Sequence, residues 1–147
     1  MMRAFKTEGI IIKRRNFGEA DRILTIFSKH YGKIQAKAPG VRKITSRRSP
    51  HIELLNLSLL TLYKSSRSPQ SIITEATTLE NFSYLKSNLK KIGFSFYICE
   101  LINNLCPENQ ENNKVFYFLK ETLNSLQRFS SFDSILDEFE EKLLAML

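Results

Sequence analysis

The chain has no tryptophan, and only two of its 147 residues are cysteine. Cys99 and Cys106 sit in an apolar stretch, with no Cys-x-x-Cys spacing and far in sequence from His30 and His51. The spacing offers no zinc ligand set and predicts two buried free thiols, since cysteine packs as a small hydrophobe. No run of about 18 apolar residues occurs, so no membrane span is expected. The opening MMRAFKTEG lacks the apolar segment of a secretory signal, which makes the cytoplasm the expected location. Phosphate-binding loops, GxSxG and HExxH are all missing. Glu19 and Asp21 form a close acidic pair of the kind that can hold a catalytic metal. Their place beside Arg22 and other basic residues predicts ion pairing or loop capping instead. The expectation is a protein that is not an enzyme and carries no metal and no cofactor.

Acidic residues are also scarce in one half of the chain. Residues 1–70 carry 15 Lys and Arg against four Asp and Glu, a balance of +11. Residues 71–147 carry seven against 11, a balance of −4, which leaves the net +7. Such asymmetry points the first half toward a polyanion. The most concentrated basic segment is the loop Val41–Pro50, with Arg42, Lys43, Arg47 and Arg48.

The first half has the period of strands. Phe5–Arg14 reads as the first, and Ile10-Ile11-Ile12 at its centre is apolar on both faces, suited to a barrel core on one side and a cover on the other. Arg22–Ser28 is the second. Lys29–Gly32 is short enough for a hairpin, with Gly32 available for a positive φ. Lys33–Ala38 alternates, with Lys33, Gln35 and Lys37 pointing outward, and Pro39-Gly40 stops it. The fourth strand lies within Ile52–Lys64 and the fifth is Ile72–Thr77. Five short strands without a helical period match a small closed barrel of OB-fold type; a five-stranded SH3-like barrel is the alternative the pattern leaves open.

After Thr77 the period changes. Thr77-x-x-Glu80 reads as a capping box opening a helix. Phe82, Leu85, Leu89, Ile92, Phe96, Cys99, Ile102 and Cys106 recur every three or four residues as one unbroken stripe, limited by Pro107. Val115–Phe129 is a second helix, with Phe116, Leu119, Leu123 and Leu126 on one side. A third helix, capped by Ser130 or Ser131, carries Ile135, Leu136, Phe139, Leu143 and Met146. The predicted class is α+β: an OB-fold-like five-stranded β-barrel over residues 1–78, followed by an all-α segment over residues 79–147.

Several short motifs fall in a fixed order. They are Thr7-Glu8-Gly9-Ile10-Ile11-Ile12, Gly18-Glu19-Ala20-Asp21-Arg22-Ile23-Leu24, His30-Tyr31-Gly32-Lys33, and Ala38-Pro39-Gly40-Val41-Arg42-Lys43 with Ser46 behind. Together they resemble the N-terminal part of the RecO family of bacterial recombinational-repair mediators. Family members usually continue well beyond this length, many with a cysteine-rich zinc element, so the resemblance implies that the C-terminal part is lacking. Pro39 stands where the family often has a lysine. The resemblance implies binding of single-stranded and duplex DNA and annealing of complementary strands. It also implies partnership with RecR, contact with single-strand-binding protein, and help in loading RecA at the nucleoid.

The basic residues give that expectation a physical form. Lys13, Arg14 and Arg15 close the first strand, Lys33 and Lys37 occupy an outward strand face, and Arg42, Lys43, Arg47 and Arg48 lie on the loop. Each can neutralise a phosphate and none need read a base. Phe17, Tyr31 and Tyr63 are the candidate stacking aromatics, although each also fits a core position. An RNA-binding OB module would carry the same charge, and a protein-interaction scaffold would use the acidic helical half.

Overall fold

The structure is a computed structural model describing residues 2–129 and 133–147. Five strands come first: β1 (Met2–Phe17), β2 (Asp21–Ser28), β3 (Gly32–Ala38), β4 (Leu57–Ser65) and β5 (Ser71–Glu80). They close into a ring in the order β1-β2-β3-β5-β4, with β3 and β5 parallel and the other pairings antiparallel. That connectivity is OB-like. Four helices follow: α1 (Ser83–Lys86), α2 (Leu89–Leu105), α3 (Asn113–Arg128) and α4 (Asp133–Met146). The expected sequence of a closed sheet and then helices is therefore the observed one.

Two apolar cores share β1. Ile11, Leu24, Ile26, Ile34, Leu60, Leu62 and Ile73 fill the ring, with Val41 and Ile52 beside them. Ile10 and Ile12 belong to the other core, together with Phe27, Leu55, Leu57 and the helical residues Ile98, Ile102, Phe116, Leu119, Phe139 and Leu143. The Ile10-Ile11-Ile12 triplet thus serves both faces of the sheet, as its β-branched, fully apolar character predicts. A register shift between Ile11 and Lys13 leaves Ile12 without a partner on β2. Such a bulge re-aims the strand beyond it. Lys13 then stands opposite Thr25, and Arg15 opposite Ile23.

Several sequence expectations need correction. Thr77 and Glu80 do not cap a helix, because β5 continues to Glu80 in pairing with β4. The Glu80 carboxylate accepts the Phe82 N–H, and Asn88 caps α2 by accepting from the Lys91 N–H. The fourth strand, expected within Ile52–Lys64, runs from Leu57 to Ser65 and follows a 3-10 turn at Ser49–Ile52 and a left-handed Leu55 whose N–H bonds the Ile11 carbonyl. The apolar stripe is also interrupted. Asn88 is extended, so α1 and α2 are separate helices and the phase resets between them. In α2 the buried residues are Ser95, Ile98, Cys99 and Ile102. Leu89 and Phe96, expected in the stripe, are 86% and 46% exposed. The third helix runs as expected with Phe139 and Leu143 buried, while its proposed caps Ser130 and Ser131 lie outside the described residues. Cys99 and Cys106 are free and buried, and burial pushes the Cys99 thiol up to about 12.

Candidate nucleic-acid interface

The helices cover only part of the outer face of β1, β2 and β3. Near the β2–β3 turn the cover is close. Gly32 has φ +68°, and a Cβ there would lie 2.0 Å from the Gln110 carbonyl oxygen, so only glycine fits this approach of loop to hairpin. The Asn109 N–H bonds the Lys33 carbonyl at 2.8 Å. The Lys33 side chain is 7% exposed and donates to the Asn103 carbonyl at 2.7 Å. The outward direction expected for Lys33 is correct for an isolated strand, but α2 lies over it. The Lys33 ammonium is thus committed to a tie between β3 and α2.

Beyond that cover the face opens into a polar cleft of about 320 Å³, lined by Lys13, Arg14, Arg15, Ile23, Thr25, Lys33, Gln35, Asn103 and Glu108. Cross-strand pairing sets two rows here: Lys13, Thr25 and Gln35, then Arg15, Ile23 and Lys37. Gln35 bonds both Thr25 and Glu108, each at 3.0 Å. Among the described residues, Lys13 and Arg15 make no side-chain hydrogen bond or ion pair, and both are exposed. Arg14, also exposed, pairs with Glu53 at 3.2 Å. These three residues lie inside β1, which extends past them to Phe17.

Lys37 and Asp21 link the cleft to the basic loop. Their charged atoms are 3.6 Å apart. Asp21 also accepts the Gly40 N–H at 2.7 Å. That hydrogen bond, with Lys37 beside it, holds the Asp21 carboxyl below its usual range, against a smaller opposing effect of desolvation. Asp21 is thus the loop cap that its sequence position suggested. Glu19, Asp21, Gly40, Lys43, Thr45, Ser46, Arg47 and Arg48 line an open depression of about 710 Å³.

The four cations of the loop divide into two kinds. The Arg42 guanidinium donates from Nη2 to the Gly18 carbonyl at 2.8 Å, and its backbone N–H bonds Ala20, bracing the β1–β2 turn. Arg48 donates to the carbonyls of Ile73 at 2.7 Å and Pro39 at 2.5 Å, tying β5 to the end of β3. Both guanidiniums are tied to carbonyls of the fold, which their place on a basic loop did not show in the sequence. Lys43 and Arg47 are exposed and, among the described residues, have no side-chain hydrogen bond or ion pair.

Of the candidate aromatics, Tyr31 packs on Phe5 with ring centroids 4.6 Å apart, and Tyr63 is half-buried on β4. Phe17 is 42% exposed, with Arg15 and Lys37 over its ring. Sequence reasoning missed Thr25, Asn103 and Glu108 as parts of the cleft. Only Gln35, alternating with Lys33 and Lys37, carried a signal. Among the described residues no cluster of three or more His, Cys, Asp or Glu is placed to hold a metal. No helix among them is long and apolar enough to cross a membrane.

Comparison with known proteins follows the same division of the chain. Residues 2–82 match the family model "Recombination protein O N terminal", and residues 86–147 match "Recombination protein O C terminal". Similar curated proteins carry the name DNA repair protein RecO. One from Roseiflexus sp. (strain RS-1) is 37% identical over 145 residues, covering 99% of this chain and 50% of its own length. One from Dehalococcoides mccartyi (strain BAV1) is 38% identical over 141 residues, covering 96% and 55%. One from Pelotomaculum thermopropionicum is 31% identical over 146 residues, covering 99% and 56%. The chain spans about half the length of these relatives. With one model laid over the five-stranded ring and the other over the helices, the chain belongs to the Recombination protein O family.

Proposed function

We propose that this chain is the DNA-binding portion of a recombination mediator acting in DNA repair. The observation that carries the reading is a group of exposed cations brought together near the β1–β2–β3 face, which have no side-chain hydrogen bond or ion pair among the described residues: Lys13 and Arg15 in the cleft, Lys43 and Arg47 on the loop. Lys37 lies between the two groups, beside Asp21. A path of cations with few base-reading groups holds a sugar–phosphate backbone of any sequence. Holding two strands on one such surface screens their mutual repulsion, so annealing of complementary strands needs no covalent chemistry. The name carried by the relatives, DNA repair protein RecO, supports DNA over RNA as the polyanion. RecR, single-strand-binding protein and RecA are the proposed partners in the same pathway.

The test is competition in fluorescence anisotropy between labelled single-stranded DNA and unlabelled DNA or RNA of equal length. Binding of single-stranded and duplex DNA with little sequence preference is the expected result. Strong preference for RNA, or no binding of any nucleic acid, would contradict it.

A further inference from the structure

Phe17 is a part-exposed aromatic beside the basic residues of the cleft. It ends β1 with 42% of its surface exposed, at the open end of the β1–β2–β3 face. Two cations attend its ring: the Arg15 guanidinium carbon at 5.9 Å and the Lys37 ammonium at 5.3 Å from the centroid. Arg15 and Lys37 flank Ile23 in one cross-strand row, and Phe17 pairs with Asp21 at the end of β2. Asp21, fixed by the Gly40 N–H, holds Lys37 in position beside the ring. Arg15 has no side-chain hydrogen bond or ion pair among the described residues, so its donors remain available.

A part-exposed ring with two cations over it brings together groups that suit the two parts of a nucleotide, provided the cations leave the ring for the phosphates when a base stacks. The base has a π-face that stacks on an aromatic, and the flanking phosphates take the cations. A duplex offers only the second part, because its bases are stacked within the helix. Phosphate contacts carry no information about the bases themselves. We propose that Phe17 is a platform for one unpaired base, with Arg15 and Lys37 on the neighbouring phosphates, and that this contact makes the chain prefer single strands to duplex. The proposal rests on the DNA-binding reading above and names a subsite within it.

The test uses the full chain and three probes of equal length in anisotropy titrations: a single strand, an abasic strand with the same backbone, and a duplex. Phe17→Ala removes the ring. Phe17→Leu keeps apolar bulk at the strand end without a π-face, and Phe17→Trp keeps the π-face. Both ring-less variants are expected to bind the single strand about 5- to 100-fold more weakly. Affinity for the abasic strand and the duplex should not change, and Phe17→Trp should bind the single strand as wild type does. Wild-type affinity of the ring-less variants for the single strand would overturn the proposal. So would an equal loss on all three probes, which would mean that Phe17 only supports the basic surface. If the wild-type chain bound none of the probes, the DNA-binding reading would fail first and take the platform with it.

Discussion

The Lys33 ammonium donates a 2.7 Å hydrogen bond to the Asn103 carbonyl, across 70 positions of sequence. It joins β3 of the ring to the end of α2, and the lysine itself is 7% exposed. Replacing Lys33 with Met keeps most of the stem and removes the donor, leaving a carbonyl without its partner. The expected loss of stability is about 1–3 kcal/mol in urea melts, with the salt dependence of DNA binding unchanged. A variant of wild-type stability whose salt slope flattens by roughly 0.7 would show that Lys33 contacts phosphate.

Phe96 on α2 and Phe116 on α3 are two phenylalanines that a simple helical stripe treats alike. Phe96 is 46% exposed and Phe116 is fully buried. Phe116→Ala should cost about 3–5 kcal/mol. Phe96→Ala should cost less than about 1 kcal/mol, since truncating an exposed ring leaves no enclosed cavity. Chemical denaturation of both variants under one set of conditions checks the order. Equal losses would mean that α2 packs through a different face.

Asp21 should make the basic loop sensitive to acid. Its carboxyl titrates below the usual value of 3.8, chiefly because it accepts the Gly40 N–H, with Lys37 adding to the effect. A carboxyl depressed in the folded state contributes stability above its unfolded pKa and loses it as pH falls through the folded value. Asp21→Asn can still accept from Gly40 but cannot pair with Lys37. The difference in melting temperature between wild type and Asp21→Asn should therefore be greatest near neutral pH and close as the pH falls below the usual carboxylate range. A difference that stays constant with pH would remove the charge from the explanation.

Local signals predicted the parts of this molecule that depend on local patterning. Alternation marked β3, β-branched residues on both faces marked the buried centre of β1, and Gly32 marked a turn that needs positive φ. The spacing of Phe116, Leu119, Leu123 and Leu126 marked the buried side of α3. Tertiary contacts account for the errors. Nothing near Lys33 in sequence announces that α2 lies over it. Arg48 and Lys43 look equivalent on one loop, yet only Arg48 meets the carbonyls of Ile73 and Pro39. The break at Ser87–Asn88 shifted the phase of α2 because Phe82 and Leu85 belong to a separate turn that packs on its own terms. Charge composition located the basic half correctly, but which cations remain available is decided by packing.

That selection leads to the most direct test. Lys43 and Arg47 are available on the loop, whereas Arg42 and Arg48 hold it in shape. Lys43→Ala and Arg47→Ala should be combined in one variant, with Lys142→Ala as a control on α4, where Lys142 pairs with Glu138. Affinity for a single-stranded oligonucleotide is then measured by anisotropy across a salt series. The double variant should keep the wild-type melting temperature, bind all sequences more weakly by a similar factor, and show a slope of log affinity against log salt flattened by about 1.4. The Lys142 variant should match wild type. A folded double variant with wild-type affinity and slope would contradict the assignment of this loop to the DNA backbone.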